Sequence, residues 1–184
     1  MRFQTNKELI LSTAISAVGQ RHDDPTYSIL KAHLLVEELL RLFLARIVSH
    51  ASALEGARLG FAQTLAISKS LCPWLQPDDW IWGMASKLNS LRNDLAHNLE
   101  PDEMVKRVAD YVGLWATRHS LPVSDAVRDP LKQHKDKTGA VFSSLDMVNI
   151  AFFSVLAARL GVPVEGLNFP ELRVRLVVVE ETQQ

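Results

Sequence analysis

The stretch from Lys87 to Asn98, with the sequence KLNSLRNDLAHN, decides the fold class of this chain. Leu88, Leu91 and Leu95 recur at intervals of three and four residues, and mostly polar residues fill the positions between them. An apolar residue in every turn indicates an amphipathic helix that buries one face and exposes the others to water. The stretch therefore predicts a helix with a buried leucine stripe.

The same helical periodicity continues along the chain in both directions. It predicts helices at residues 5–19, 25–50, 56–71, 77–99, 102–119 and 141–160. Residues 172–179 alternate arginine with apolar side chains before three valines, which predicts a short strand. The predicted fold class is all-α, an up-down bundle of about four to six helices with a short C-terminal extension.

Three regions follow from this pattern. Residues 1–120 are predicted to form the helical bundle. Residues 121–140 collect proline, aspartate, lysine and glycine without periodicity, which predicts a loop or hinge. Residues 141–184 hold the last helix and the strand, which pack either on the bundle or on a second subunit, because an isolated strand needs a partner.

Composition narrows the class of protein. The 184 residues carry 20 Lys+Arg against 21 Asp+Glu, a net charge of −1, which excludes a histone-like nucleic-acid binder but not a local basic cleft. The single cysteine, Cys72, cannot form an internal disulfide. The apolar stretch 141–162 contains Asp146 and Arg159, which are costly in a bilayer. We expect a cytoplasmic protein without a membrane partner.

Arg92, Asn93 and His97 are the candidate catalytic residues. A guanidinium can stabilise a phosphate as its negative charge builds, and an imidazole can move a proton near neutral pH. Asn93 and His97 stand four residues apart and share a helix face. Arg92 and His97 diverge by about 140° of helix rotation. They can therefore act on one ligand only if the helix loosens near His97 or a second subunit contributes its own copy.

The pattern Arg92-Asn93-x3-His97, near the end of a late helix, resembles the R-x4-H motif of the HEPN superfamily, in which a polar residue often follows the arginine. The long helix with Glu37-Glu38 and the short helix before the motif are also similar, and the resemblance covers about residues 24–119. Within that superfamily, the chain is similar to the mannitol-operon-repressor-like branch.

The resemblance implies two alternative functions. The first is a metal-independent endoribonuclease without a cofactor, a toxin or defence effector that acts on RNA as a homodimer under an antitoxin or regulatory partner. The second is a non-catalytic, repressor-like regulatory or interaction module that binds a protein or nucleic acid. Leu99 stands where toxins of nucleotidyltransferase pairs often carry a tyrosine, so control through that tyrosine is not implied.

Structural explanations exist for the same motif residues. Arg92 can pair with Asp94 or Glu100, and His97 can cap the end of its helix.

Other residues also have two interpretations. His33 and Glu37, four residues apart, are interpreted as a surface ion pair, with half of a metal site as the alternative. Core or dimer packing competes with base stacking for Trp74, Trp80 and Trp82. The basic run at 132–137 is interpreted as a solvated hinge, with a phosphate contact as the alternative.

Overall fold

The computed structural model describes residues 25–97, 100–121 and 138–164. The helices in these ranges are α1 Pro25–Ile47, α2 Ala51–Glu55, α3 Phe61–Leu71, α4 Trp80–Ala96, α5 Pro101–Arg118 and α6 Thr138–Arg159. These ranges contain no strand, and the predicted all-α fold class is confirmed. The predicted helix at 5–19, the strand at 172–179 and the basic run at 132–137 lie outside the described residues.

Helix α1 is the central element of the bundle. It packs against α3, α4 and α6, while α5 packs against α4 and α6. The shared core takes fully buried side chains from four helices: Ile29, Leu40, Phe43, Leu88, Val108, Tyr111, Phe152 and Leu156. Helix α6 therefore belongs to the same core as the earlier helices. None of the helices in the described ranges is long and apolar enough to cross a membrane.

The helix predicted over 56–71 begins later, at Phe61, and a short helix that was not predicted separately, α2, precedes it. Helix α2 ends at Glu55 and α3 begins at Phe61. Arg58 has φ +34°, in the left-handed region, which interrupts a right-handed helix. The N–H of Gly60 donates to Gln63 Oε1 at 2.9 Å and so begins α3. A helix start of this kind, without a serine, threonine or aspartate cap, is weakly marked in sequence.

Helix α4, which carries the motif, is fixed at its N-terminus by Asp79. The Asp79 side chain accepts a hydrogen bond from the N–H of Ile81 at 3.1 Å and so caps the helix. The same carboxylate pairs with Arg159 at the last turn of α6. These contacts hold the start of α4 in the bundle, and its other end carries the motif.

A buried polar contact joins α1 to α6. The Ser28 hydroxyl donates to the Asp146 carboxylate and accepts from Asn149 Nδ2 at 3.1 Å. Ser28 and Asn149 are both buried. Because polar groups in a core need partners at fixed positions, this contact favours one register between the two helices.

Candidate functional site

The three motif residues lie at the C-terminal end of α4 and all are exposed. Leu88 and Leu91 bury the opposite face of the helix in the core. The Arg92 guanidinium donates through Nη1 to Asn93 Oδ1 at 3.2 Å. The motif therefore presents its polar groups to solvent, with the arginine and the asparagine already in contact.

His97 lies just beyond the regular helix. Helix α4 ends at Ala96, and the His97 N–H donates to the carbonyl of Asp94 in a tighter turn. Its backbone φ is −102° and ψ is 18°, away from helical values. The helix therefore ends at His97, and among the described residues the His97 side chain makes no hydrogen bond with that of Arg92. Pro101 begins α5 only a few residues later.

The acid nearest to Arg92 in sequence has another partner. Asp94 Oδ2 lies 3.3 Å from Nη1 of Arg107 on α5, and Arg107 also pairs with Glu103 at 3.2 Å. Among the described residues, Arg92 forms no ion pair with a carboxylate. The alternative in which Arg92 pairs with Asp94 is therefore wrong, because the crossing of α4 and α5 supplies Asp94 with Arg107. The alternative in which His97 caps its helix is confirmed for the backbone, because its N–H donates to the Asp94 carbonyl at the helix end.

A polar cluster on α1 and α4 stands beside the motif, and sequence reasoning missed it. His33 is buried, stacks on Phe61 with ring centroids 4.3 Å apart, and its Nε2 lies 3.1 Å from Oδ1 of Asn89. Its Nδ1 is 4.0 Å from Glu37 Oε2. Asn89 and His33 are 56 residues apart in the chain. No local pattern indicated their contact.

The predicted pairing of His33 with Glu37 is present at 4.0 Å, but its position is not the predicted surface one, because His33 is buried. Burial lowers the pKa of His33, and the nearby Arg92 charge lowers it further, while Asn89 and Glu37 act in the opposite direction. The imidazole is therefore neutral at neutral pH. The Glu37 carboxylate is also paired with Arg41, whose Nη2 lies 2.7 Å from Oε1. The described residues contain no group of three or more side chains suited to bind a metal ion.

An open groove of about 580 Å³ runs between α3 and the N-terminal half of α4. Exposed small residues on both helices keep it open: Ala62, Ala66, Gly83, Ser86 and Ser90. Lys69 lines the α3 side, and Asp78 and Asp79 line the end near the start of α4. Asn89 lines the other end, one helical turn before Asn93. The groove therefore leads toward the motif, although Arg92, Asn93 and His97 do not line it.

The tryptophans before the motif serve mainly in packing. Trp82 is buried and donates through Nε1 to the carbonyl of Gln76 at 3.1 Å. Trp80 packs edge-on against Trp115 at 5.7 Å, and Trp74 donates to the Arg159 carbonyl while remaining 55% exposed. Trp80 also lines the groove, so part of its ring is accessible to solvent there.

Comparisons with known proteins assign this chain to no family. It matches no protein-family model, no curated protein and no solved structure.

Proposed function

We propose that this protein is a metal-independent endoribonuclease of HEPN type that cleaves single-stranded RNA. The observation that carries the proposal is the exposure of Arg92, Asn93 and His97 at one helix end, with no carboxylate of the described residues paired to the arginine. Because the guanidinium is held only by an uncharged amide, it is able to pair with an anionic ligand such as a phosphate.

The side chains suit transfer of a phosphodiester to the neighbouring 2′-oxygen. His97 takes the proton of the 2′-hydroxyl as the 2′-oxygen forms its bond to phosphorus and the bond from phosphorus to the 5′-oxygen breaks. The Arg92 guanidinium stabilises the charge on the phosphate oxygens during that step. Asn93 holds the guanidinium in place through its 3.2 Å hydrogen bond. The products are a 2′,3′-cyclic phosphate and a 5′-hydroxyl.

The second proton transfer supports a homodimer. The leaving 5′-oxygen needs a proton, and a second His97 from another copy supplies it if two motifs face one cleft. Trp82, for which dimer packing is one interpretation, lies in the core of its own chain. The need for a second imidazole remains. We propose a cytoplasmic toxin or defence effector, controlled by an antitoxin or regulatory partner.

The test is cleavage of labelled single-stranded RNA in the presence of EDTA, with the new ends assayed for cyclic phosphate and 5′-hydroxyl. We expect cleavage by the wild type and cleavage about 10²–10⁴-fold slower by His97→Ala, and we expect His97→Ala to relieve growth inhibition on expression. A requirement for Mg²⁺, new 5′-phosphate ends or full activity of His97→Ala would each reject this mechanism.

A non-catalytic interaction module is the second candidate, and an exposed apolar stripe on α1 favours it. Tyr27, Leu30 and Leu34 are 44%, 41% and 65% exposed, at helical spacing along one face. Exposed apolar clusters of this kind mark contacts with partner proteins. Failure of the folded protein to cleave or bind any RNA, together with capture of a partner that Leu34→Glu abolishes, would favour this function.

A further inference from the structure

We propose that the groove between α3 and α4 is the path of the RNA strand beside the cleavage site, with a backbone phosphate bound by the Asn89 side-chain NH2 group and with His33 as the residue that positions Asn89. This inference rests on the proposed function and adds the substrate path and two residues to it.

The orientation of Asn89 is the first step. Its amide oxygen faces the His33 ring, so its NH2 group is directed away from His33. Within the described ranges this NH2 group has no hydrogen-bond partner, and Asn89 is half-buried at the end of the groove. An amide donor held in this way can bind an acceptor such as a phosphate oxygen.

The second step is the rigidity of the support behind Asn89. The His33 ring is stacked on Phe61, bonded to Asn89 and bordered by Glu37 at 4.0 Å. Glu37 is fixed in turn by Arg41, whose Nη2 also donates to the Leu59 carbonyl at 2.6 Å. A donor supported by packed and hydrogen-bonded neighbours loses little conformational entropy when it binds a ligand. His33 is therefore a positioning residue, and Asn89 is the contact.

The third step is the identity of the ligand. Arg92 follows Asn89 by three residues on the same helix, so the two side chains are neighbours. Lys69 lines the opposite wall away from this end, since it stands eight residues, about 12 Å, after Phe61, which contacts the same His33 ring as Asn89. The positive charge at the Asn89 end is therefore that of Arg92, and it favours an anionic acceptor. One helical turn, about 5.4 Å, separates this point from the motif, so one RNA segment can contact both.

The groove is small and suits a single strand. Its volume is about 580 Å³. Ser86 offers a hydroxyl group along the α4 wall, whereas the Ser90 hydroxyl donates to the Ser86 carbonyl at 3.2 Å. Trp80 offers an aromatic edge at the far end. Asp79 at that end is already paired with Arg159 and with the N–H of Ile81. Phosphate contacts are therefore expected at the motif end.

The test compares two substrates, a dinucleoside monophosphate with only the scissile phosphate and an oligoribonucleotide of ten residues. Asn89→Asp keeps an acceptor for His33 but places a carboxylate at the phosphate site. We expect kcat/KM for the oligomer to fall at least tenfold through KM, and the rate on the dinucleotide to change less than twofold. Lys69→Glu, on the half-exposed opposite wall, should act in the same direction without risk to the core.

His33→Phe tests the positioning role. It preserves the stack on Phe61 but removes the bond to Asn89, so it should raise KM for the oligomer about fivefold and leave kcat unchanged. The matched control is Met147→Glu, which adds one negative charge at a 71% exposed position on α6 and should leave both substrates unaffected. Circular dichroism verifies that each variant is folded.

Binding of an uncleavable 2′-deoxy-substituted oligomer, followed by fluorescence anisotropy, separates the two proposals. One outcome is that the wild type binds this oligomer, the groove variants weaken the binding and no RNA is cleaved. That outcome supports the groove proposal and rejects the nuclease function. If the wild type cleaves RNA but Asn89→Asp and Lys69→Glu bind and cleave the oligomer normally, the groove proposal is overturned and the function stands. Absence of any RNA binding overturns the groove proposal as well.

Discussion

Substitutions at adjacent residues of α4 should affect stability and catalysis separately. Leu91 is 1% exposed, whereas its neighbour Arg92 is exposed. Truncating a buried leucine to alanine costs about 2–5 kcal/mol, and for a chain of this length each kcal/mol lowers Tm by about 2–4 °C. Leu91→Ala should therefore lower Tm by about 4–20 °C. Arg92→Ala and His97→Ala are exposed substitutions and should change stability by no more than about 0.5 kcal/mol.

The effects on cleavage should run in the opposite order. His97→Ala removes proton transfer and should lower the rate about 10²–10⁴-fold. Arg92→Ala removes charge stabilisation and should lower it about 10²–10³-fold. Asn93→Ala loses only the hydrogen bond that holds Arg92, which is worth about 1 kcal/mol or roughly fivefold in rate. Leu91→Ala, assayed well below its own Tm, should retain most of the wild-type rate.

The assay combines thermal melts with single-turnover cleavage of labelled RNA in EDTA. Melting temperatures of Arg92→Ala or His97→Ala that fall as far as that of Leu91→Ala would show that these side chains are structural. Equal rate losses in all three variants, corrected for the folded fraction, would refute the catalytic assignment.

Three further predictions follow from the same structure. Tyr111 is fully buried, and its hydroxyl has no hydrogen-bond partner in the described part of the chain. Tyr111→Phe should therefore leave the stability measured by urea unfolding unchanged or raise it by up to about 1 kcal/mol. A clear loss of stability would show that the hydroxyl has a partner. Because burial lowers the pKa of His33 below the unfolded value of 6.5, the unfolded state binds its proton first as pH falls. Stability should therefore decrease from pH 7 to 5 more steeply in the wild type than in His33→Phe, and identical slopes in urea titrations would contradict this. Sedimentation at micromolar concentration should give twice the 20.6 kDa monomer mass, whereas a pure monomer would count against two facing motifs.

Local sequence patterns determined the class of fold and the exposure of the motif. The leucine spacing of α4 predicted which face is buried, because helical periodicity repeats within a few residues. Proline at 101 limits how far the motif helix can extend beyond His97, and aspartate at 79 is a residue type that favours a helix start. Each of these features depends on neighbours along the chain, so the sequence alone was sufficient.

Tertiary structure decided the partners of the side chains. The contact of His33 with Asn89 and the pairing of Asp94 with Arg107 depend on how α1 and α5 cross α4. The groove depends on the distance between α3 and α4. Helix rotations and crossings arise from the fit of many side chains across the whole core. No short stretch of sequence encodes them, and for this reason the support behind the motif became visible only in the folded chain.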